Sequence, residues 1–259
     1  KVTLMLKQRR FYQKSQYWTR DQINVYHDKK LIEIVQHAGK NVPYYRELFK
    51  NIGLDPKTFK GREDITKIPL LDKDTLRKRY KEFIADNAND YGIIWHKTSG
   101  STGTPLNMAL DHYSVANKWA ATARAYKWMG YSLGNKIFFI KGIDDTIKRA
   151  EYGRNLRDNS IFLNSNRLSK ENCIKVNNML LGAKPRFFAG YARSLVMFSQ
   201  ILKNENIDVY KPKAILCFGE TLTPQIRKKL EENYQAQVFD FYGHTENSVM
   251  ICESDKHIK

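Results

Sequence analysis

The sequence is poor in the features that would tie it to a membrane, a secreted scaffold or a nucleic acid. Its three cysteines, Cys173, Cys217 and Cys252, are an odd number without framework spacing. That excludes a disulfide-stapled fold and fits a reducing compartment. Apolar runs are short: the longest, Ala214–Phe218, has five residues, far fewer than the roughly 20 that cross a bilayer. The basic, aromatic stretch 1–20 lacks the apolar centre of a signal peptide, so the expected location is cytoplasmic, with no transmembrane segment. Acidic residues are the scarce charge, 27 against 44 basic ones, for a net charge of +17. The basic residues are scattered at helix-surface spacing, as at 7–10, 77–81 and 227–229. No zinc-finger spacing, aromatic RNA-binding signature or arginine-rich arm goes with them. Nucleic acid is therefore not an expected partner. A basic surface serves as well to attract nucleotides, anionic headgroups or an acidic carrier protein.

What is present is an ordinary globular composition, 42% hydrophobic and 27% charged, in a chain long enough for one substantial domain or two small ones. It shows neither an internal repeat nor a low-complexity linker. The first ninety residues read as helical. Ile23, Tyr26, Leu31, Ile34, Val35 and Ala38 recur at helical spacing, and Pro43 ends that helix, because the residue before a proline disfavours the α region. A second helix starts over 44–49, and Asp72 caps a third through Tyr80. Residues 1–90 are expected to form a helical lead-in packed on a main domain, 91–259. There, helices (113–129, 170–181, 192–204, 223–234) alternate with strands (136–140, 186–189, 214–218, 238–242), and 141–168 reads as irregular and charged. Thr223 supplies a cap, Pro224 suits the first helical position, and Ile226, Leu230 and Tyr234 form one stripe. The alternation predicts an α/β fold with a largely parallel sheet flanked by helices.

The segment 98–105 reads Thr98-Ser99-Gly100-Ser101-Thr102-Gly103-Thr104-Pro105. Glycines let backbone amides approach a ligand, and five hydroxyls supply small donors, a combination that wraps an oxyanion without a fixed charge. Such composition also makes flexible tethers. Here Ile93-Ile94-Trp95 runs into the segment and residues 106–110 leave it with apolar alternation, so a tight loop between two buried strands is expected. Lys97, beside it, is expected to face solvent. No Gly-Lys-Ser/Thr follows the glycines, so the loop is not a Walker A motif.

In open parallel sheets, ligands bind outside the carboxyl ends of the strands. Two predicted strands end in a glycine with a carboxylate: 214–218 runs into Gly219-Glu220, and 238–241 into Tyr242-Gly243-His244-Thr245-Glu246. On neighbouring strands, Tyr242 would present a ring to a planar base, Thr245 would donate to a phosphate and Glu246 would hold Mg²⁺. Taken singly, Tyr242 reads as a tyrosine at the edge of the core and the glutamates as solvated helix starts. Their joint placement is what points to a nucleotide.

These residues carry a resemblance. TSGSTGTP at 98–105 resembles the phosphate-binding loop of the adenylate-forming enzymes, the superfamily of acyl-CoA synthetases and related ligases. YGHTE at 242–246 resembles that superfamily's second signature, Tyr-Gly-x-Thr-Glu. Gly219-Glu220 is similar to its Gly-Gly-Glu segment, with Phe218 in place of the first glycine. His37-Ala38, Val42-Pro43-Tyr44-Tyr45 and Ile68-Pro69-Leu70-Leu71-Asp72-Lys73 look like the start of phenylacetate-CoA ligases. The most similar branch is that of their relatives associated with capsular polysaccharide biosynthesis.

The resemblance implies an ATP-dependent ligase that activates a small carboxylic acid as an acyl-adenylate, releases pyrophosphate and passes the acyl group to coenzyme A. It implies roles for named residues. Thr98, Ser99, Gly100, Ser101, Thr102, Gly103 and Thr104 would grip the β- and γ-phosphates. Gly219, Glu220, Tyr242 and Gly243 would line the adenine site, Thr245 would meet the α-phosphate, and Glu246 would coordinate Mg²⁺. Tyr191, Ser194 and His244 lie where family members build the acyl pocket, while Phe187 and Phe188 read as core. The charged residues Asp144, Asp145, Arg149, Arg154 and Arg157 read as a solvated loop or as a means of recognising a polar substrate. The alternatives are a noncatalytic nucleotide-binding or assembly protein on the same scaffold, or polysaccharide modification with an acceptor other than coenzyme A. A homodimer is compatible with either. Cys252 and His257, five apart, would make half a zinc site. Family members continue past Glu246 with a ribose-binding aspartate, a hinge and a small domain bearing a catalytic lysine. None of these maps here, so the chain is expected to be the N-terminal part of a longer enzyme, or a truncated form without efficient turnover.

Overall fold

The computed structural model describes residues 2–97, 106–142 and 151–256. They divide into two compact units, one of residues 1–121 with 245–248 and one of 122–244 with 249–259.

The first unit is mostly helical. It opens with α1 (Val2–Ser15), α2 (Arg20–Asn41) and α3 (Pro43–Asn51). Thr19 starts α2 with a capping box: its hydroxyl accepts the Gln22 backbone N–H at 3.3 Å while the Gln22 side chain accepts the Thr19 N–H at 3.0 Å. As expected of a residue before proline, Val42 leaves the helical region (φ −107°, ψ 112°) and α2 stops there. Pro43 then opens α3, where its missing N–H costs nothing. Val35, Phe49 and Phe59 form the buried centre of these helices. Beyond them, Asp72 caps α4 (Lys73–Lys78) by accepting the Thr75 N–H at 2.7 Å. Short 3₁₀ turns at Tyr80–Phe83 and Ala88–Tyr91 lead to β1 (Ile94–Lys97) and β2 (Asn107–Leu110).

β1 and β2 pair antiparallel, with Lys97 opposite Asn107. The 98–105 segment itself lies outside the described residues. The expectation of two buried strands around it fails for β1: Trp95 is 58% exposed and His96 is exposed as well. β1 and β2 form a two-stranded ribbon, and only Leu110 of β2 is buried.

α5 (His112–Trp128) follows, and the division between the units falls within it. Among the described residues, the second unit is built on a seven-stranded sheet. Its strands are β3 (Ile137–Lys141), β4 (Tyr152–Asn155), β5 (Ser160–Asn164), β6 (Phe187–Gly190), β7 (Ala214–Phe218), β8 (Gln237–Gly243) and β9 (Met250–Cys252). Its helices are α6 (Lys170–Ala183), α7 (Ala192–Asn204) and α8 (Pro224–Tyr234). The strand order is β4-β5-β3-β6-β7-β8-β9; the five central strands run parallel, and β4 and β9 close the edges antiparallel. This is the mixed α/β, largely parallel sheet that the alternation predicts.

Successive strand residues point to opposite faces. Ile215 and Cys217 join a core with Val176, Leu195 and Leu230 from α6, α7 and α8. Ala214 and Leu216 join a second core with Met129 and Tyr126 on the other face. Phe187 and Phe188 are fully buried, one in each core, as their core reading requires. Each such ring contributes about 1.5–3 kcal/mol by leaving water. Thr223 caps α8 through the Ile226 N–H at 3.3 Å. The irregular reading of 141–168 is corrected in part: β4 and β5 occupy it, with Arg154 and Arg157 exposed, while Asp144, Asp145 and Arg149 lie outside the described residues.

Candidate functional site

Parallel strands share a direction, so the carboxyl ends of β3, β5, β6, β7 and β8 meet at one edge of the sheet. Gly190 faces Cys217, and Phe218 faces Phe241. The residues that follow, Tyr191, Gly219 and Tyr242, therefore leave adjoining strand ends together.

Tyr191 organises this edge. Its ring stands edge-on to Phe218, centroids 5.8 Å apart. It also lies against Gly219, where a Cβ would come within 2.7 Å of the tyrosine Cε1. Gly219 has φ +79°, a conformation side chains avoid. Both facts demand glycine, so the chain leaving β7 passes under the tyrosine as bare backbone. Glu220 comes next, its Oε1 accepting the Arg193 backbone N–H at 2.6 Å in the first turn of α7. A carboxylate there is stabilised by the helix N-terminus. Ser194 sits half-buried in the same turn.

β8 ends in an exposed Tyr242, with His244 edge-on at 6.4 Å between ring centroids. His244 Nε2 accepts the Val249 N–H at 3.1 Å, which closes the neck of the connection to β9. Thr245 and Glu246 lie on that connection and belong to the first unit. Asn247 turns the chain there with φ +59°.

Within the first unit, a cavity of about 860 Å³ is walled by Ile34, His37, Phe83, Tyr91, Met108 and Tyr113, with Glu246 in its lining. Its size is that of a small-molecule pocket. His37 is held by Asn41, one helical turn on, at 3.2 Å and lies edge-on to Tyr91. Lys30 and Glu33, also in the lining, form an ion pair at 2.5 Å. The bond from Lys30 lowers the Glu33 carboxyl below its ordinary range. The sequence reading missed this cavity; the one local signal was the His37–Asn41 spacing on α2.

The structure thus brings Tyr191, Gly219, Glu220, Tyr242 and Gly243 to one sheet edge and sends Thr245 and Glu246 into the adjoining turn. Thr98, Ser99, Gly100, Ser101, Thr102, Gly103, Thr104 and His257 lie outside the described residues. The Cys252 thiol donates to the Glu253 carbonyl at 3.3 Å. Among the described residues no three His, Cys, Asp or Glu side chains are grouped to hold a metal ion.

No family model matches the chain. Phenylacetate-coenzyme A ligase of Pseudomonas putida is 24% identical over 217 residues, which are 82% of this chain and 48% of that protein. Protein CapK of Staphylococcus aureus is 24% identical over 232 residues, 88% of this chain and 51% of its own. The chain is a relative of phenylacetate-coenzyme A ligases and CapK. A shorter match, to phenylacetate-coenzyme A ligase of Thermus thermophilus, reaches 33% identity over 86 residues, 33% of this chain and 19% of that one. The chain spans about half the length of the first two relatives.

Among solved structures, 2-hydroxyisobutyryl-CoA ligase in complex with 2-HIB-AMP and CoA superposes with a TM-score of 0.71 over 92% of this chain and 53% of that one, at 19% identity. Its open conformation gives 0.67 over 88% of this chain and 56% of that one. The shared fold is that of adenylate-forming ligases. No described helix is long and apolar enough to cross a membrane.

Proposed function

We propose that this chain is the nucleotide-binding part of an ATP-dependent carboxylate-activating ligase. The observation that carries this reading is the convergence of Tyr191, Gly219-Glu220 and Tyr242-Gly243 on one carboxyl edge of a parallel sheet, in a chain related to CoA ligases. In this reading the substrate carboxylate attacks the α-phosphorus of ATP, the bond to the bridging oxygen breaks and pyrophosphate leaves. The thiol of coenzyme A then attacks the acyl carbon, and AMP leaves.

The hydroxyls and glycines of 98–104 grip the β- and γ-phosphates. Tyr242 stacks on the base, and Gly219 and Gly243 let the backbone approach it. Glu220 shapes the adenine site indirectly, since its carboxylate is committed to α7. Thr245 donates to the α-phosphate. Tyr191, Ser194 and His244 border the acyl group, and well-placed donors of this kind lower the barrier by meeting charge as it develops.

The residue assigned to magnesium is Glu246. The ion binds through one or two carboxylates plus phosphate oxygens and needs no all-protein cage, and Glu246 is an exposed glutamate on its turn. Bound there, the ion would offset the charge of the phosphates.

The test is exchange of labelled pyrophosphate into ATP by the intact protein across a panel of carboxylic acids. Acid-dependent exchange is expected, slowed about tenfold by Glu246→Gln at limiting magnesium. ATP binding without exchange would assign the chain to the noncatalytic alternative. Absence of both would overturn the reading.

A further inference from the structure

The strand that closes the hairpin carrying residues 242–246 is short. β9 has three residues, and its register rests on three facing pairs, Phe241–Cys252, Tyr242–Ile251 and Gly243–Met250. A slip of one residue would turn every side chain to the opposite face.

Glu253, the next residue, continues the pairing at Asp240. Its backbone N–H donates to the Asp240 carbonyl at 3.0 Å, and its Oε2 accepts the Asp240 N–H at 3.1 Å. Its Oε1 accepts from Arg227 Nη2 at 2.7 Å. Arg227 Nη1 donates in turn to the Val238 carbonyl at 2.5 Å. One guanidinium on α8 therefore ties β8 to the residue that follows β9, at the end of the hairpin away from its turn. The Glu253 side chain is 9% exposed and that of Arg227 25%, so solvent screens the pair little. A buried ion pair is weak evidence of stability, because desolvation offsets its attraction; setting a register is its best-attested use.

We propose that Arg227 and Glu253 are positioning residues: by fixing the β8–β9 register they hold Tyr242 and Gly243 where a nucleotide meets them. The inference rests on the reading of 242–246 as a nucleotide-contacting segment.

The test uses the intact protein with Glu253→Gln and Arg227→Lys, measuring the Kd for Mg-ATP by calorimetry and amide hydrogen exchange by mass spectrometry. For Glu253→Gln, Mg-ATP binding is expected to weaken about tenfold, with faster exchange confined to 242–253. Arg227→Lys is expected to lose less, about threefold, because a lysine keeps the contact to Glu253 and gives up the one to Val238. Two results would overturn the pair's role while leaving the nucleotide reading intact: variants that bind Mg-ATP as tightly as wild type, or exchange that quickens across β3, β6 and β7 as well. If Glu253→Gln fails to fold, Arg227→Lys decides by the same criteria. A wild-type protein that does not bind Mg-ATP overturns the premise and the proposal together.

Discussion

Glu220 Oε1 accepts the Arg193 backbone N–H at 2.6 Å, so a carboxylate at the end of β7 holds the first turn of α7. The side-chain approach of Arg193 to the same glutamate is 3.9 Å, with the arginine 77% exposed, and contributes little. Glu220→Ala is therefore expected to lower stability by about 1 kcal/mol, the scale of a lost cap, and Glu220→Gln by less than half of that. Urea denaturation of the two variants checks this. Equal losses would mean that charge, and not the hydrogen bond, is what α7 uses.

Gly219 faces two separate demands, a positive φ and a tyrosine ring within 2.7 Å of any Cβ. Gly219→Ala should cost about 1–3 kcal/mol. Combining it with Tyr191→Ala should return the part due to the contact and leave the part due to the backbone. A double-mutant cycle with no coupling between the two would show that the ring yields freely.

Much of this was legible in the sequence, for physical reasons that also explain the rest. Asp72, Thr223 and Pro43 mark helix starts because capping acts over three or four residues. β3, β6 and β7 announce themselves as apolar runs because both of their faces are buried. β4 reads Tyr152-Gly153-Arg154-Asn155 and serves as a half-exposed edge, so its alternation is lost in the charged stretch around it. β9, three residues long, exists through pairing with β8 and the Glu253 bonds, which no local pattern encodes. Gly219 and Glu220 were found by their position at a strand end, but the ring of Tyr191 against Gly219 is a tertiary fact. The cavity beside Glu246 draws its walls from α2, the 3₁₀ turns and β2, residues far apart in the chain.

Acid should weaken the first unit through Asp28. Its carboxylate accepts from Arg62 Nε at 2.8 Å, Nη2 at 3.0 Å and the Arg62 backbone N–H at 2.9 Å. Those bonds hold it at about 2, below its ordinary 3.8. A carboxyl depressed in the folded state contributes stability that is fully present above its unfolded value and lost as pH falls through the folded one. The window therefore runs from 3.8 down to about 2. Urea midpoints measured across it should fall more steeply in wild type than in Asp28→Asn. Parallel slopes would contradict the assignment.

The three thiols should differ sharply in reactivity. Burial pushes Cys173 up to about 11 and Cys217 higher still, where the charge of Asp240 adds to it. Cys252 is half-buried on an edge strand. A thiol reagent should find one fast-reacting group in the folded protein, abolished by Cys252→Ser, and all three in denaturant. Fast labelling of Cys217 would mean that β7 opens readily.

The most direct measurement is the fate of ATP labelled on its α-phosphate, incubated with the intact protein, magnesium, coenzyme A and the panel of acids. Attack at the α-phosphorus yields labelled AMP with an equal amount of pyrophosphate, and only in the presence of an acceptable acid. Labelled ADP would place the cleavage at the γ-phosphate and contradict the assignment of this chain to carboxylate activation by adenylation.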